Sequence, residues 1–394
     1  MFKTLLRKIS GNFKSDPSKV KLSNGARNLI QAAFEGIEDG KFFDNHVHIL
    51  GMNTEKTGCW TNPSILNWKH PLDTMKTNIF INASGIDDVE KADEQYLDRL
   101  NELTFGFPKK GKFLLLPLDK CYNKDGTVNQ SDTKFYVPNE YVYSICKEHP
   151  EEYVPAASIH PYRKDAVAEL EKWAILGVRI VKWIPNTMGM DPSDSICEPF
   201  YEKMKEYDMV LLGHAGKESA MEVAKFKTLG NPLLYRKPLD HGVKVIIAHC
   251  AGLGSNIDFD CPHKRPVKNY KLFLRLMKEK KYEGLVFGDI SALTQMNRMG
   301  KPLKTMLKRK YLHHRLLNGS DYPLPAINSV VLTKAFVAYG YLNEVEADLL
   351  NEVYKMNPLL FDFVLKRTIR HPETKGKFSL EVFINNPVLN IVSL

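Results

Sequence analysis

The residues best suited to chemistry in this chain lie in the motif Asp44-Asn45-His46-Val47-His48, at the end of the first predicted strand. Side chains alternate between the two faces of a strand, so His46 and His48 share a face and their imidazoles converge on one point. Two such nitrogen ligands on a rigid element, each about 2.0–2.1 Å from an ion, suit a divalent metal site. A His-x-His pair alone is a weak signal, because solvated or core histidines are commoner than metal ligands.

Four further side chains of the same kind lie at the ends of other predicted strands. They are Lys182 before Trp183, His214 at the end of MVLLGH, His249 at the end of VKVIIAH and Asp321 after LLNGS. Barrel enzymes place their active sites at the carboxyl ends of the strands, where these side chains would meet. Each could singly be a satisfied core residue, but unpaired charges buried at so many strand ends would be very costly. Together these positions predict a metal site.

The elements that must hold these residues alternate along the chain between short apolar runs and segments of helical periodicity. This alternation predicts a parallel sheet of βα units, and eight strands fit a (β/α)8 TIM barrel of the α/β class. The predicted strands span 42–48, 112–118, 154–159, 178–183, 209–213, 243–249, 285–290 and 316–320. The predicted helices span 163–176, 199–207, 217–228, 267–281, 301–311 and 359–370. A ninth apolar run, 78–82, does not fit the count and is expected outside the barrel, in a partly helical region.

The predicted organisation is a basic N-terminal extension over 1–39, one barrel over 40–370, and a C-terminal tail over 371–394 packed on the barrel. Two polar, turn-rich segments, 51–75 and 119–140, follow strand ends and are expected to be active-site insertions. Residues 1–25 form a basic amphipathic segment. A helix docked on the domain is favoured there over a membrane-surface helix or an organelle transit peptide.

Composition and charge exclude several classes of protein. The chain has 394 residues, of which 43% are hydrophobic and 26% charged, as in ordinary globular proteins. No apolar run reaches the roughly 18–20 residues of a membrane span. Six cysteines without a CxxC pair indicate free thiols in a reducing compartment, so the expected location is the cytoplasm. Residues 1–25 account for +5 of the net charge of +9, so the charge requires no nucleic-acid partner.

Taken together, the motifs resemble the amidohydrolase superfamily of metal-dependent barrels. The matching pattern is DNHVH on the first strand, Lys182 on the fourth, His214 on the fifth, His249 on the sixth and Asp321 on the eighth. The segment SIHPYRKDAVAELEKWAILGVRIVKWIPN and the motifs GHAG, AHCAGLG and GSDYP resemble the branch that includes aminocarboxymuconate-semialdehyde decarboxylase-like proteins. This similarity extends over about residues 40–325.

The resemblance implies a set of ligands and roles. His46, His48, His214 and Asp321 would bind a divalent ion, with zinc favoured over manganese or another metal. His249 would complete a second metal site or hydrogen-bond the substrate. Lys182 would be carboxylated and bridge two ions, or would bind a substrate carboxylate or pair with Asp321, and one ion is slightly favoured over two. Asp44 is expected to orient the histidines rather than to bind the metal.

The function implied by the resemblance is hydrolysis of an amide, ester or lactone, with a metal-bound hydroxide as nucleophile and Asp321 as general base. One alternative is a metal-dependent, non-oxidative decarboxylase of a small carboxylic acid, for which Lys182, Arg163 and Arg265 are candidate cations. Another alternative is a catalytically silent metal-binding barrel. A small molecule is the expected partner, and a homo-oligomer and peripheral membrane contact stay open.

Weaker substrate-contact hypotheses rest on strand-end or loop position. These residues are His160, Asp289, Trp60 and His263.

Overall fold

A computed structural model describes residues 10, 17–52, 56–66, 71–218, 221 and 223–391 of the chain. The amphipathic segment expected within residues 1–25 lies mostly outside these ranges. No helix within them has both the length and the apolar character needed to cross a bilayer.

Eight short parallel strands form the centre of the molecule. They are β1 (Phe42–His48), β2 (Gly111–Leu116), β3 (Tyr153–Pro155), β4 (Ile180–Trp183), β5 (Val210–His214), β6 (Lys244–Ala248), β7 (Val286–Asp289) and β8 (Leu316–Leu317). Strands β1 to β3 pair in chain order in one sheet, and β4 to β8 pair in chain order in a second. Every predicted barrel strand therefore overlaps an observed one.

Backbone contacts join the two sheets at both edges. Ala157, just after β3, donates to Ile180 O at 2.9 Å and accepts from Lys182 N at 2.7 Å. At the other edge, Asp321 N donates to His46 O at 2.8 Å, and Val47 forms a parallel bridge with Tyr322. The strands thus succeed one another in a ring, and the predicted (β/α)8 barrel is confirmed.

Helices surround this ring and connect its strands. The α-helices are Asn24–Ala33, Pro71–Ala83, Ala92–Phe105, Asn139–Glu148, Ala166–Ile175, Pro185–Met188, Glu198–Glu206, Arg236–Asp240, Asn269–Lys278, Lys301–Lys308, Thr333–Ala338, Glu344–Met356 and Pro358–Thr368. Short 3-10 helices include Pro63–Leu66, Ser195–Cys197, Pro232–Tyr235, Lys280–Tyr282, Lys310–Arg315, Leu324–Ala326, Leu380–Phe383 and Pro387–Leu389. The apolar run 78–82 is helical and lies outside the strand ring, as expected.

The helix predicted over 217–228 is wrong. The described residues there form no α-helix, and a 3-10 helix spans Ala224–Gly230 instead. Gly216 N donates to Gly230 O at 2.7 Å, and the two backbones approach so closely that a Cβ at Gly230 would clash with Gly216 O. The apolar residues that suggested a helix have other contacts: Phe226 packs over Gly189, and Met221 lines the cavity described below.

The interior of the barrel is a separate apolar cluster closed at one end by the C-terminal tail. Its members include Leu114, Leu116, Ile180, Val210, Leu212, Ile246, Val388 and Leu389. The tail is anchored beside the amino ends of the strands, where Asn385 N donates to Lys41 O at 3.1 Å and Asn390 Nδ2 donates to Asp208 Oδ2 at 3.0 Å. The amino end of the barrel is therefore filled by apolar side chains.

Strand alternation determines which side chains reach the opposite end. On β4 the inward residue Ile180 is followed by Lys182, and on β5 the inward residue Leu212 is followed by His214. Strand β1 is irregular, because its register with β2 shifts between Asp44 and Val47. Phe43 accordingly belongs to the inner cluster and Val47 to the outer one. The shift turns the two histidines inward.

Candidate metal centre

Three ligand atoms converge at the carboxyl end of the barrel. His46 Nε2 and His48 Nε2 are 3.2 Å apart, and Asp321 Oδ1 lies 3.4 Å from each of them. An ion bonded at about 2.1 Å to two atoms, at angles between square and tetrahedral, holds those atoms about 3.0–3.4 Å apart. The spacing of these three atoms therefore fits one divalent ion.

His214 adds a fourth candidate donor. Its Nδ1 lies 3.4 Å from Glu218 Oε2, and its Nε2 is buried without a hydrogen-bond partner among the described residues. Burial lowers the pKa of His214 to about 4, so the ring is neutral near pH 7, which is the state that binds a metal. A buried nitrogen without a partner is costly, and a cation would satisfy it.

The carboxylate of Asp289 orients His46. Asp289 Oδ2 lies 2.8 Å from His46 Nδ1, so Nδ1–H donates to the carboxylate and the Nε2 lone pair faces the centre. Burial holds the pKa of His46 well below its usual value. Asp289 Oδ1 also accepts from the backbone N–H of His249 at 2.7 Å. Metal-binding histidines are commonly held in this way by a carboxylate.

A hydrogen-bond chain sets the tautomer of His249. Ser291 Oγ–H donates to Asp289 Oδ1, so Ser291 Oγ accepts from His249 Nδ1–H, 2.8 Å away. His249 Nε2 then keeps its lone pair and lies 3.8 Å from Asp321 Oδ2. The backbone of His249–Ala251 is left-handed, with φ between 48° and 57°, a conformation that costs roughly 1–3 kcal/mol per residue and is typical of functional sites.

Asp321 lies between the histidines on one side and His249 on the other. Burial raises the pKa of its carboxyl group. Its loop is tied to β1 by Asp44, whose Oδ1 accepts from His46 N at 3.0 Å and from Ser320 N at 2.9 Å. Asp44 thus fixes the two ligand-bearing backbones relative to each other, and its side chain takes no place among the converging atoms.

Lys182 is the buried cation of the centre. Its Nζ lies 2.9 Å from His46 Nε2, and only 1% of its surface is exposed. Burial lowers the pKa of Lys182 to about 8, so the neutral amine is accessible near physiological pH. The neutral amine can react with CO₂, as the carboxylation hypothesis requires. The ammonium form can bind a substrate carboxylate or pair with Asp321, as the alternative hypothesis requires.

A cavity of about 400 Å³ opens above these residues. His48, Lys182, His214, His249 and Asp321 line one end of it. Both segments predicted as active-site insertions contribute to its walls, through Met52 and Ile65 from the first and Phe135 and Val137 from the second.

Four residues that were predicted to contact the substrate do not line this cavity. His160 Nε2 donates to Met188 O at 3.1 Å, and its Nδ1 accepts from Tyr162 N at 3.1 Å, so its hydrogen bonds are used within the fold. Trp60 pairs with Tyr136 in a two-stranded ribbon, and His263 is exposed in the turn of another. Asp289 lies behind His46. None of these residues lines the cavity, because each strand-end or loop position turns its side chain elsewhere.

The two candidate arginines also lie elsewhere. Arg163 is paired with Asp165 at 2.8 Å, and Arg265 is exposed just before a short hairpin strand and does not line the cavity. Instead, Arg298 and Glu218 line the cavity, and Ser291 supports His249. None of these three residues was predicted from the sequence. Their only signal was position: Ser291 and Arg298 follow β7, and Glu218 follows β5.

A family model described as Amidohydrolase matches residues 124–358. No curated protein sequence matches the chain.

Similar solved structures include an uncharacterized TIM-barrel protein from Bordetella bronchiseptica, with 17% identity, a TM-score of 0.49, and coverage of 80% of this chain and 98% of the other. The 4-oxalomesaconate hydratase of Rhodopseudomonas palustris has 15% identity, a TM-score of 0.42, and coverage of 81% and 96%. The 5-carboxyvanillate decarboxylase of Sphingomonas paucimobilis has 10% identity, a TM-score of 0.41, and coverage of 80% and 95%.

Proposed function

The chain belongs to the amidohydrolase family, and from this premise we propose that it is a metal-dependent hydrolase of an amide, ester or lactone. The observation that carries the proposal is the convergence of His46 Nε2, His48 Nε2 and Asp321 Oδ1 within 3.2–3.4 Å at the end of the cavity. Ligand atoms on a rigid barrel, beside an apolar chamber, are what a metal-assisted reaction requires.

We propose one ion, held by these three atoms and His214. Three imidazoles and one carboxylate are a donor set that suits zinc. When bound, the ion would polarise a substrate carbonyl and lower the pKa of a water molecule. With one ion, His249 and Lys182 are left to contact the substrate.

Asp321 is proposed to move the proton. Its Oδ1 faces the two histidines, and its Oδ2 faces His249, so the two oxygens have separate tasks. The carboxylate would take a proton from water at Oδ2 and return it to the leaving group. Burial raises the pKa of Asp321, which makes the protonated intermediate state easier to reach.

His249 is proposed to assist as an acceptor. The hydrogen bond from its Nδ1 to Ser291 leaves a lone pair on Nε2, on the side of Asp321. Burial lowers the pKa of His249 well below its usual value, so the ring stays neutral and can accept a hydrogen bond from substrate or from protonated Asp321.

Decarboxylation is the second candidate, and the charge of the cavity favours it. Lys182 and Arg298 both line the cavity and are both buried. Two cations near the reacting end would attract a carboxylate, which is the group that such a reaction removes. The same ligand set would hold the substrate in either reaction.

Metal content per chain tests the centre. We expect about one zinc in wild type purified without chelator and less than about one tenth of that in His46→Ala/His48→Ala, which lacks two ligands. His160→Gln is the matched control, because His160 is equally buried but outside the centre. Two ions in wild type would contradict the one-ion proposal. No ion, even after reloading, would overturn the metal centre.

Product analysis tests the reaction. Metal-loaded wild type and Asp321→Asn are assayed with ester, lactone and amide panels by proton release, and with aromatic and aliphatic carboxylic acids by CO₂ release. Hydrolysis that falls about 10³-fold or more in Asp321→Asn, with metal retained, would support the proposal. CO₂ release without hydrolysis would favour the second candidate. No turnover by the loaded protein would favour a silent barrel.

A further inference from the structure

The cavity above the centre has two chemically different parts. Its buried charged groups include Lys182, Glu218, Arg298 and Asp321, and Lys182 and Asp321 belong to the candidate metal centre. The remaining walls come largely from apolar side chains on several separate segments of the chain. A ligand that fills the cavity must match both parts.

The apolar walls are formed by elements that cover the barrel mouth. Helix Pro71–Ala83 contributes Ile79 and Phe80, and the segment after β8 contributes Leu324, Ile327 and Val330. These side chains pack against the main core and leave one apolar face on the cavity. Water molecules make few favourable contacts with such an apolar surface. A hydrocarbon group that displaces them is therefore expected to bind there.

Arg298 supplies a buried charge that has no direct ion pair among the described residues, although the carboxylates of Asp321, Glu218 and Asp289 lie near enough to attract it. Only 4% of its surface is exposed. Its Nη1 donates to the neutral side-chain oxygen of Gln295 at 2.5 Å, and its Nε is buried without a partner among the described residues. A guanidinium stays charged when buried, and an unpaired buried charge is costly. An anion in the cavity would pair with the guanidinium and offset that cost. A carboxylate also matches the planar guanidinium in shape.

We propose that the substrate is an amphiphilic monocarboxylate, with its single anionic group on Arg298 and a hydrocarbon chain or ring system along the helix Pro71–Ala83. This inference rests on the proposed function, since it names the substrate class of the same centre. No second buried anionic group is assigned, because Lys76 is exposed, Lys134 is half-buried, and the Nζ of buried Lys182 already contacts His46 Nε2 at 2.9 Å. Arg298 is therefore the residue that determines specificity for the charged end.

The test is equilibrium binding of small probes to the metal-loaded protein by calorimetry, with decanamide recovered and checked for hydrolysis because the proposed substrates include amides. The probes are butanoate, hexanoate, octanoate and decanoate, with decanamide as the uncharged match and succinate as a small dicarboxylate. We expect affinity to rise about fourfold per added methylene until the cavity is filled. Decanoate should bind at least about tenfold more tightly than decanamide, because only the carboxylate pairs with Arg298.

The variants Arg298→Met and Arg298→Lys locate the anion site. Arg298→Met should lower decanoate affinity at least about tenfold and leave decanamide affinity nearly unchanged, and Arg298→Lys should restore part of the loss. Arg265→Met is the matched control, because Arg265 is an exposed arginine outside the cavity. A preference for decanoate that survives in Arg298→Met would overturn the role of Arg298.

The affinities of wild type for the four carboxylates of increasing chain length test the hydrocarbon part of the proposed substrate, even if the variants fail to fold. Equal affinities for butanoate and decanoate, or tighter binding of succinate, would overturn the amphiphilic class. Because these are binding measurements, they separate the two proposals. A chain that holds zinc but prefers succinate retains its metal centre and loses only this inference. A chain without metal that binds decanoate through Arg298 loses the proposed function alone.

Discussion

The carboxylate of Asp289 shows how one side chain outside the proposed metal-ligand set can control two histidines of the centre. One oxygen holds His46 Nδ1 and the other holds His249 N, while Ser291 Oγ links the same carboxylate to the His249 ring. The tautomers of both histidines therefore depend on a residue that does not line the cavity. A change in the charge or hydrogen bonding of residue 289 should therefore change the affinity for the metal.

We predict that Asp289→Asn lowers zinc affinity about 10–100-fold, because the amide keeps the size of the side chain but loses the charge that orients His46. Competition against a chromophoric chelator measures the change. Asp119→Asn provides a control, since Asp119 is also a buried carboxylate but accepts from His160 N and lies outside the centre. Equal loss of affinity in both variants would contradict the positioning role.

The positions of the functional side chains could be predicted where the alternation of a strand determines which way a side chain points. They could not be predicted in segments without such alternation. His214 and Lys182 follow inward apolar residues by two positions, so alternation alone turns them to the centre. Arg298 and Ser291 lie in an aperiodic segment after β7, where no sequence rule determines the direction of a side chain. His160 and His263 were predicted from the same kind of strand-end or loop position that Ser291 occupies, but their side chains do not line the cavity.

At the scale of secondary-structure elements, the helix Pro358–Thr368 is stabilised by its N-cap residue, Asn357. Asn357 is fully buried, and its Oδ1 accepts from Leu359 N at 3.0 Å and Leu360 N at 2.9 Å. Its Nδ2 donates to Leu103 O at 2.8 Å, at the end of another helix. One side chain thus begins one helix and satisfies a carbonyl of a second.

We predict that Asn357→Ala lowers the free energy of unfolding by about 2–4 kcal/mol, from a lost cap and a buried carbonyl left without its donor. The exposed cap Asn343, at the start of Glu344–Met356, is the matched comparison. Asn343→Ala should cost only about 1 kcal/mol. Denaturant unfolding of both variants gives the two values, and similar losses would show that the bond to Leu103 contributes nothing.

The order and location of the strands were predicted well, whereas the helix predicted over 217–228 was wrong. The strands followed from buried apolar runs that the observed barrel requires, whereas the segment 217–228 had helical periodicity without helical structure. Its apolar residues face a neighbouring helix and the cavity from a 3-10 turn and a loop. Tertiary contacts of this kind override periodicity and are not visible in the local sequence.

At the scale of the whole molecule, the barrel depends on residues near the end of the chain. Leu389 is fully buried in the inner cluster, together with Val388 and residues of the strands. Asn386 Nδ2 donates to His314 O at 3.3 Å, which adds a link beside β8. The tail therefore completes the core that lies opposite the metal centre.

We predict that Leu389→Ala lowers the free energy of unfolding by about 2–5 kcal/mol, because the lost methyl groups leave a hole inside the barrel. Leu332→Ala, at a leucine that is 44% exposed, should change it by less than about 1 kcal/mol. Urea titration monitored by tryptophan fluorescence measures both. A near-zero effect of Leu389→Ala would mean that the tail does not stabilise the barrel.

The contact between β1 and the loop after β8 has a consequence for how the protein is made in the cell. His46 and His48 are synthesised early, but Asp321, whose N–H bonds to His46 O, is added 275 residues after His46. A nascent chain on the ribosome can offer an incoming ion only part of its coordination until most of the polypeptide has emerged. Acquisition of the proposed ion is thus expected to be a late, largely post-translational event, governed by the free metal ion available to the finished protein.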